Sequence, residues 1–189
     1  MRNADGTVRK LRRAFNLAGH AHELTFSCHR RLPLLSRDRT RQWFLDALDS
    51  ARERCRFELW AYVIMPEHAH ILLFPTSEEY SISQILQAIK QPVARRATDF
   101  LRMHAPEWLE KLKVARPDGR VEYRFWTQGG GYDRNIFEPK IASASIEYFH
   151  NNPVRRGLVE TPQNWPWSSA AWYAGQPAKL RIDDPVLKF

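Results

Sequence analysis

Three observations on this sequence predict an α+β fold. Strand-like and helix-like segments follow the order β-α-β-β-α-β-α, the second and third strands are split only by Pro66-Glu67, and the runs on either side of that break are apolar and β-branched. The arrangement that fits this order is a ferredoxin-like sandwich. Its antiparallel sheet carries two helices on one face and a tyrosine-bearing helix near the other. A chain of 189 residues that is 43% hydrophobic, with seven Trp, has the material for one such packed domain.

The elements follow in order. Residues 1–16, with Arg9-Lys10-Leu11-Arg12-Arg13, read as a basic arm, either a solvated terminus or a DNA contact. His22 to Cys28 alternates as a first strand. Asp38 to Arg54 places Trp43, Phe44, Ala47, Leu48 and Ala51 at helical spacing. Phe57 to Met65 and His68 to Phe74 form strands two and three. A second helix, Ser81 to Met103, turns Ile82, Ile85, Leu86 and Ile89 to the core, and Pro92 is expected to kink or divide it. Ala105 to Arg120 reads as a polar connection, and Val121 to Trp126 alternates as the fourth strand. After Gly129-Gly130-Gly131 a third helix opens at Pro139, where a missing N–H costs nothing, and is expected to end against Pro153. Residues 17–156 then form the domain, and 157–189, with Trp165-Pro166-Trp167 and Trp172, a tail packed on or beside it.

Charge narrows the function. A net charge of +8 and a pI near 9.8 point to a polyanionic partner. No run approaches the roughly 20 apolar residues of a membrane span, and Cys28 and Cys55 form neither a disulfide framework nor a CxxC knuckle. A cytoplasmic, nucleoid-associated protein is expected.

His68 and His70 carry the chemistry. Two apart in a strand, they project from one face while Ala69 points the other way. Two imidazoles aimed at one point are most of a metal site, or else a hydrogen-bonded pair on an exposed sheet face. On the third helix Asn152 lies four residues after Tyr148 and shares its face. Docked on the pair, that helix presents a phenol and an amide oxygen beside two imidazoles. A divalent cation held by His68, His70 and Asn152 would polarise a phosphodiester for attack by Tyr148. The plainer readings are a packed tyrosine and a helix C-cap.

These segments resemble a known family. Met65-Pro66-Glu67-His68-Ala69-His70-Ile71-Leu72-Leu73 resembles the HUH motif of single-tyrosine transposases. Tyr148-Phe149-His150-Asn151-Asn152-Pro153-Val154-Arg155-Arg156-Gly157-Leu158-Val159 resembles the tyrosine segment of the REP-associated tyrosine transposases, and Trp165-Pro166-Trp167-Ser168-Ser169 their tail. Gly19-His20-Ala21-His22-Glu23-Leu24-Thr25-Phe26 is similar to their first strand, and Phe125-Trp126 with Tyr132-Asp133 to their fourth-strand region, so the likeness spans about Asn16 to Tyr173. It implies metal ligands at His68, His70 and Asn152 and a nucleophile at Tyr148. It also implies cleavage and rejoining of single-stranded DNA at or near REP-type hairpins through a 5′-phosphotyrosine, with Mg²⁺ or Mn²⁺. Two departures stand out: Glu67, where Asn is common, and the glycine-rich 129–131 run.

Lys90, Arg95, Arg96, Arg155 and Arg156 are the candidate phosphate contacts, against the plain reading of solvated helix faces. Trp165, Trp167 and Trp172 either close the core or stack unpaired bases. Two other function classes stay open. One is a non-catalytic single-strand binder on the same sandwich, although no RNP1-like aromatic run occupies strand three. The other is a metal-dependent hydrolase of another phosphate ester. Monomer and homodimer remain undetermined.

Overall fold

The computed structural model describes residues 15–185, so the basic arm lies almost wholly outside the described residues. Six strands and five α-helices follow one another as β1 (Ala21–Ser27), α1 (Asp38–Cys55), β2 (Phe57–Ile64), β3 (His68–Pro75), α2 (Ile82–His104), α3 (Pro106–Lys111), β4 (Lys113–Ala115), β5 (Val121–Tyr123), β6 (Tyr132–Ile136), α4 (Pro139–Arg155) and α5 (Ala170–Tyr173). The antiparallel sheet has the order β2-β3-β1-β6. This is the predicted α+β sandwich.

Register divides the side chains between two layers. Thr25 pairs with His70 and Ser27 with His68, while Phe26 pairs with Ala69 and Leu24 with Ile71. Phe26 packs on Phe44 of α1, so the Phe26 face is covered by α1 and α2, which also pack on each other. The Thr25–His70 face receives α4, where Phe149 stacks on the His70 ring at 5.0 Å and Ser145 donates to Glu23. Apolar residues fill both interfaces: Phe44, Leu48, Ile85 and Ile89 on one side, Phe149 and Ala142 on the other, all 1% exposed or less.

Four expectations are corrected. The fourth strand of the sheet is β6, not Val121 to Trp126; the latter contributes β5, which pairs with β4 in a separate hairpin. The connection from Ala105 to Arg120 therefore holds a short helix and a strand. Pro92 does not divide α2, and α4 runs two residues beyond Pro153. A proline removes one backbone donor. The Trp126 indole donates to Lys90 O near the first of these prolines, and packing holds the helix through both.

The tail covers the outer edge of β2. Ile64 donates to Trp167 O, Ser169 donates to Tyr62 O, and Asp183 exchanges bonds with Leu59 through its backbone N–H and its carboxylate. Trp165 and Trp167 are buried, and the Trp165 indole donates to Ile64 O. Their place is in the core rather than on a base-stacking surface. An edge strand left open invites pairing with other chains, and this one is closed. Among the described residues, no helix is long and apolar enough to cross a membrane.

Candidate active site

β3 begins at His68 because Pro66 and Glu67 break the apolar run, and the strand's period of two then places His68 and His70 side by side facing α4. The pair is buried, at 7% and 5% exposure, not spread on an open sheet face. Their Nε2 atoms stand 3.0 Å apart. The Asn152 amide stands 3.1 Å from His70 Nε2, and the two ends of an amide exchange by a half turn. The Tyr148 ring meets the His70 ring edge-on at 5.6 Å, and Tyr148 is 44% exposed, so it is no core residue. Thus the structure brings together all four residues singled out from spacing.

The far side of each imidazole is also held. Thr25 Oγ1 lies 2.7 Å from His70 Nδ1, and Glu67 Oε1 lies 3.1 Å from His68 Nδ1. In the tautomer in which both Nδ1 atoms donate, both Nε2 atoms carry lone pairs. Such an arrangement is repulsive at this distance unless a proton or a cation lies between them. Partners that fix ring orientation from behind are the usual outer layer of a metal site. Adjacent ligands of a six-coordinate ion with bonds of about 2.1 Å stand about 3.0 Å apart, so the pair fits Mg²⁺-like geometry. Among the described residues no three His, Cys, Asp or Glu side chains cluster as a metal centre. A cation here would accordingly take its third protein ligand from an amide, and Asn152 is in place for it.

Electrostatics keep the imidazoles neutral. Burial lowers the His70 pKa to about 3, helped by the charge His68 would carry, and burial also lowers that of His68 despite Glu67. Neutral imidazole is the ligating form. Glu67 runs the other way: burial alone would raise its pKa, but the Arg156 hydrogen bond and the His68 and Arg156 charges bring it below the ordinary range.

The five candidate DNA contacts fall in two places. Arg155 lies over the Tyr148 ring at 5.6 Å, and Arg156 donates to Glu67 Oε1 at 2.9 Å, both on the site side. Lys90 is half-buried in α2, its pKa lowered by burial, and donates to Gly129 O. Arg95 and Arg96 are exposed in the same helix, and Arg96 pairs with Asp46 of α1. The sheet separates these three from the histidines.

Sequence reasoning missed Thr25, Glu67 and Arg31, which approaches Glu67 at 3.4 Å. Glu67 was visible only as a departure from the family pattern, and Thr25 is found only once the β1–β3 register is known. The glycine run also has a structural use. A Cβ on Gly131, at φ +82°, would meet Thr25 O at 2.2 Å, so glycine permits the loop's close approach to β1.

Comparisons with known proteins agree with this architecture. The IS200-like transposase family matches residues 17–112. A Haemophilus influenzae protein that bears the name REP-associated tyrosine transposase is 24% identical over 143 residues, covering 72% of this chain and 76% of that protein. The solved structure of a REP-associated tyrosine transposase bound to a REP hairpin superposes with a TM-score of 0.67 at 20% identity, covering 93% of each chain, and shares the fold.

Proposed function

The chain belongs to the IS200-like transposase family, and from that premise we propose that it cleaves and rejoins single-stranded DNA at or near REP-type palindromic hairpins. The reaction runs through a 5′-phosphotyrosine on Tyr148, with Mg²⁺ or Mn²⁺ as cofactor and His68, His70 and Asn152 as its ligands. One observation carries the proposal: two buried Nε2 atoms 3.0 Å apart, with an amide and a half-exposed phenol against the same imidazole. The names of the similar proteins support the hairpin substrate.

Each residue has a task. Glu67 and Thr25 hold the imidazoles from the Nδ1 side, so that Nε2 of each would be the atom that holds the cation. When bound, the cation supplies Lewis acidity and orients the scissile phosphate. Tyr148 Oη attacks phosphorus and the bond from phosphorus to the 3′ oxygen breaks. The phenol loses a proton and the departing 3′ oxygen gains one, so the step is proton-neutral. The ester to Tyr148 retains the energy of the broken bond, and a 3′-hydroxyl can reverse the step without a nucleotide cofactor. Arg155 and Arg156 neutralise phosphate near the site, and Lys90, Arg95 and Arg96 serve more distant phosphates of the hairpin.

Incubating the protein with a hairpin-bearing single strand and Mg²⁺ or Mn²⁺ should give a denaturation-resistant complex. Tyr148→Phe loses one oxygen from a half-exposed ring. It should bind the hairpin as wild type does, form no such complex and release no 3′-OH fragment. Mass spectrometry should find the nucleotide on Tyr148; an adduct on Tyr123 or Tyr132 would move the nucleophile elsewhere.

A further inference from the structure

The turn that follows β1 is backbone-strained, and its charge is unbalanced. Arg30 and Arg31 are consecutive and both lie at positive φ, 53° and 54°, where glycine is the unstrained residue. They are exposed, and Arg31 reaches Glu67 Oε1, the same oxygen that accepts from Arg156 and lies 3.1 Å from His68 Nδ1. One buried carboxylate thus faces two guanidinium groups whose side chains are 66% and 49% exposed. Arg30 pairs with no acid among the described residues. Beside it His29 Nε2 is buried with no hydrogen-bond partner. This cationic excess stands at the edge of the histidine pair, on the strand end where β1 meets β3.

We infer that the Arg30-Arg31 turn, together with Arg156, clamps the backbone phosphates of single-stranded DNA that flank the scissile one. The inference rests on the strand-transfer reading above and adds to it the path of the strand. Glu67 holds Arg31 and Arg156 in place from beneath while their outer N–H groups face solvent, ready for phosphate oxygens. Guanidinium suits this task because its planar fork matches two phosphate oxygens at once. Backbone strain at two arginines is retained in the fold, and the turn thereby sets Arg31 on Glu67 with Arg30 exposed beside it.

Glycine at both positions keeps the left-handed turn, relieves its strain and removes both charges, so Arg30→Gly/Arg31→Gly is expected to fold. For a single-stranded oligonucleotide with a hairpin, the slope of log K against log salt should become shallower by about 1.4, at about 0.7 per neutralised phosphate. Arg54→Gln/Arg102→Gln, with the same charge change in the helical layer, should leave the slope unaltered. Arg31→Lys keeps charge in the same backbone and should keep most of the slope that Arg31→Gly loses. A wild-type slope in the glycine double variant, or an equal loss in Arg54→Gln/Arg102→Gln, overturns the clamp. A shallower slope in a protein that never forms the covalent complex upholds the clamp and removes the strand-transfer reading.

Discussion

Two clusters of buried histidine lie on opposite faces of one sheet. On the α1–α2 face, His22 is 0% exposed; its Nδ1 lies 2.8 Å from Asp133 and its Nε2 2.8 Å from the Tyr80 hydroxyl. On the α4 face, His68 and His70 are buried almost as deeply. There each Nδ1 has a partner in Glu67 or Thr25, but the two Nε2 atoms face each other. The first cluster is closed: every ring nitrogen is answered by a protein group that ties β1 to β6 and to the start of α2. In the second, the two Nε2 atoms meet each other at 3.0 Å, with the Asn152 amide 3.1 Å from that of His70. Burial therefore does not separate a structural histidine from a functional one here. The separation lies in where the last lone pairs point.

The largest expected effect tests that separation directly. His68→Ala or His70→Ala should abolish cleavage and the stabilisation given by Mn²⁺, while hairpin binding persists because the phosphate-contacting cations are other side chains. His22→Ala should instead leave Asp133 and Tyr80 without their partner and cost roughly 1–3 kcal/mol of stability, with cleavage per folded molecule retained. Melting curves with and without Mn²⁺, alongside a cleavage assay, measure both. Full cleavage by His70→Ala would erase the distinction between the clusters.

A smaller effect sharpens it. Thr25→Val preserves shape but removes the oxygen behind His70 Nδ1. Loss of such an outer partner typically lowers metal affinity about 10–100-fold. Tyr80→Phe deletes the hydroxyl that meets His22 Nε2 and donates to Leu17 O, and should cost about 1–3 kcal/mol of stability without touching metal affinity. Titrating Mn²⁺ into both variants decides the matter; equal metal affinity in the two would show that Thr25 does not orient His70.

How far these clusters were legible in the sequence follows from the range of the forces involved. His68 and His70, two apart on a strand, and Tyr148 and Asn152, four apart on a helix, are local periodicities, and the structure joins them. Thr25 reaches His70 through strand register, and Glu67 gathers Arg31 and Arg156 from two distant segments, so no spacing announces either. The same reasoning explains the misassigned strand. Val121 to Tyr123 alternates and does form a strand, but its partner is Lys113–Ala115. The true edge strand, Tyr132–Ile136, reads Tyr-Asp-Arg-Asn-Ile and buries only Ile136 fully, leaving little hydrophobic pattern to find. Its polar residues are used instead: Asp133 bonds His22, and Asn135 bonds both backbone groups of Phe15.

The last expected effect is a pH dependence of stability to which the α4 side contributes. Burial, with the charge of His68 as a lesser cause, lowers the His70 pKa to about 3, and burial lowers that of His150 to about 4. His150 lies on α4 and bonds Ser169 Oγ at 2.8 Å, fastening the tyrosine helix to the tail. In the unfolded chain both would titrate near the ordinary histidine value of about 6.5. Because the folded values are depressed, protons bind the unfolded state more strongly. Stability from these groups is therefore present above pH 6.5 and declines as pH falls from there, to about 4 for His150 and about 3 for His70. In chelator, where no cation competes, the loss should reach about 1 kcal/mol per histidine by pH 6. His150→Phe keeps a ring against Tyr173, gives up the bond to Ser169 and should flatten the decline. Urea titrations at pH 7.5, 6 and 5 measure it, and equal stability at all three would show that the α4-side histidines are not held neutral by burial.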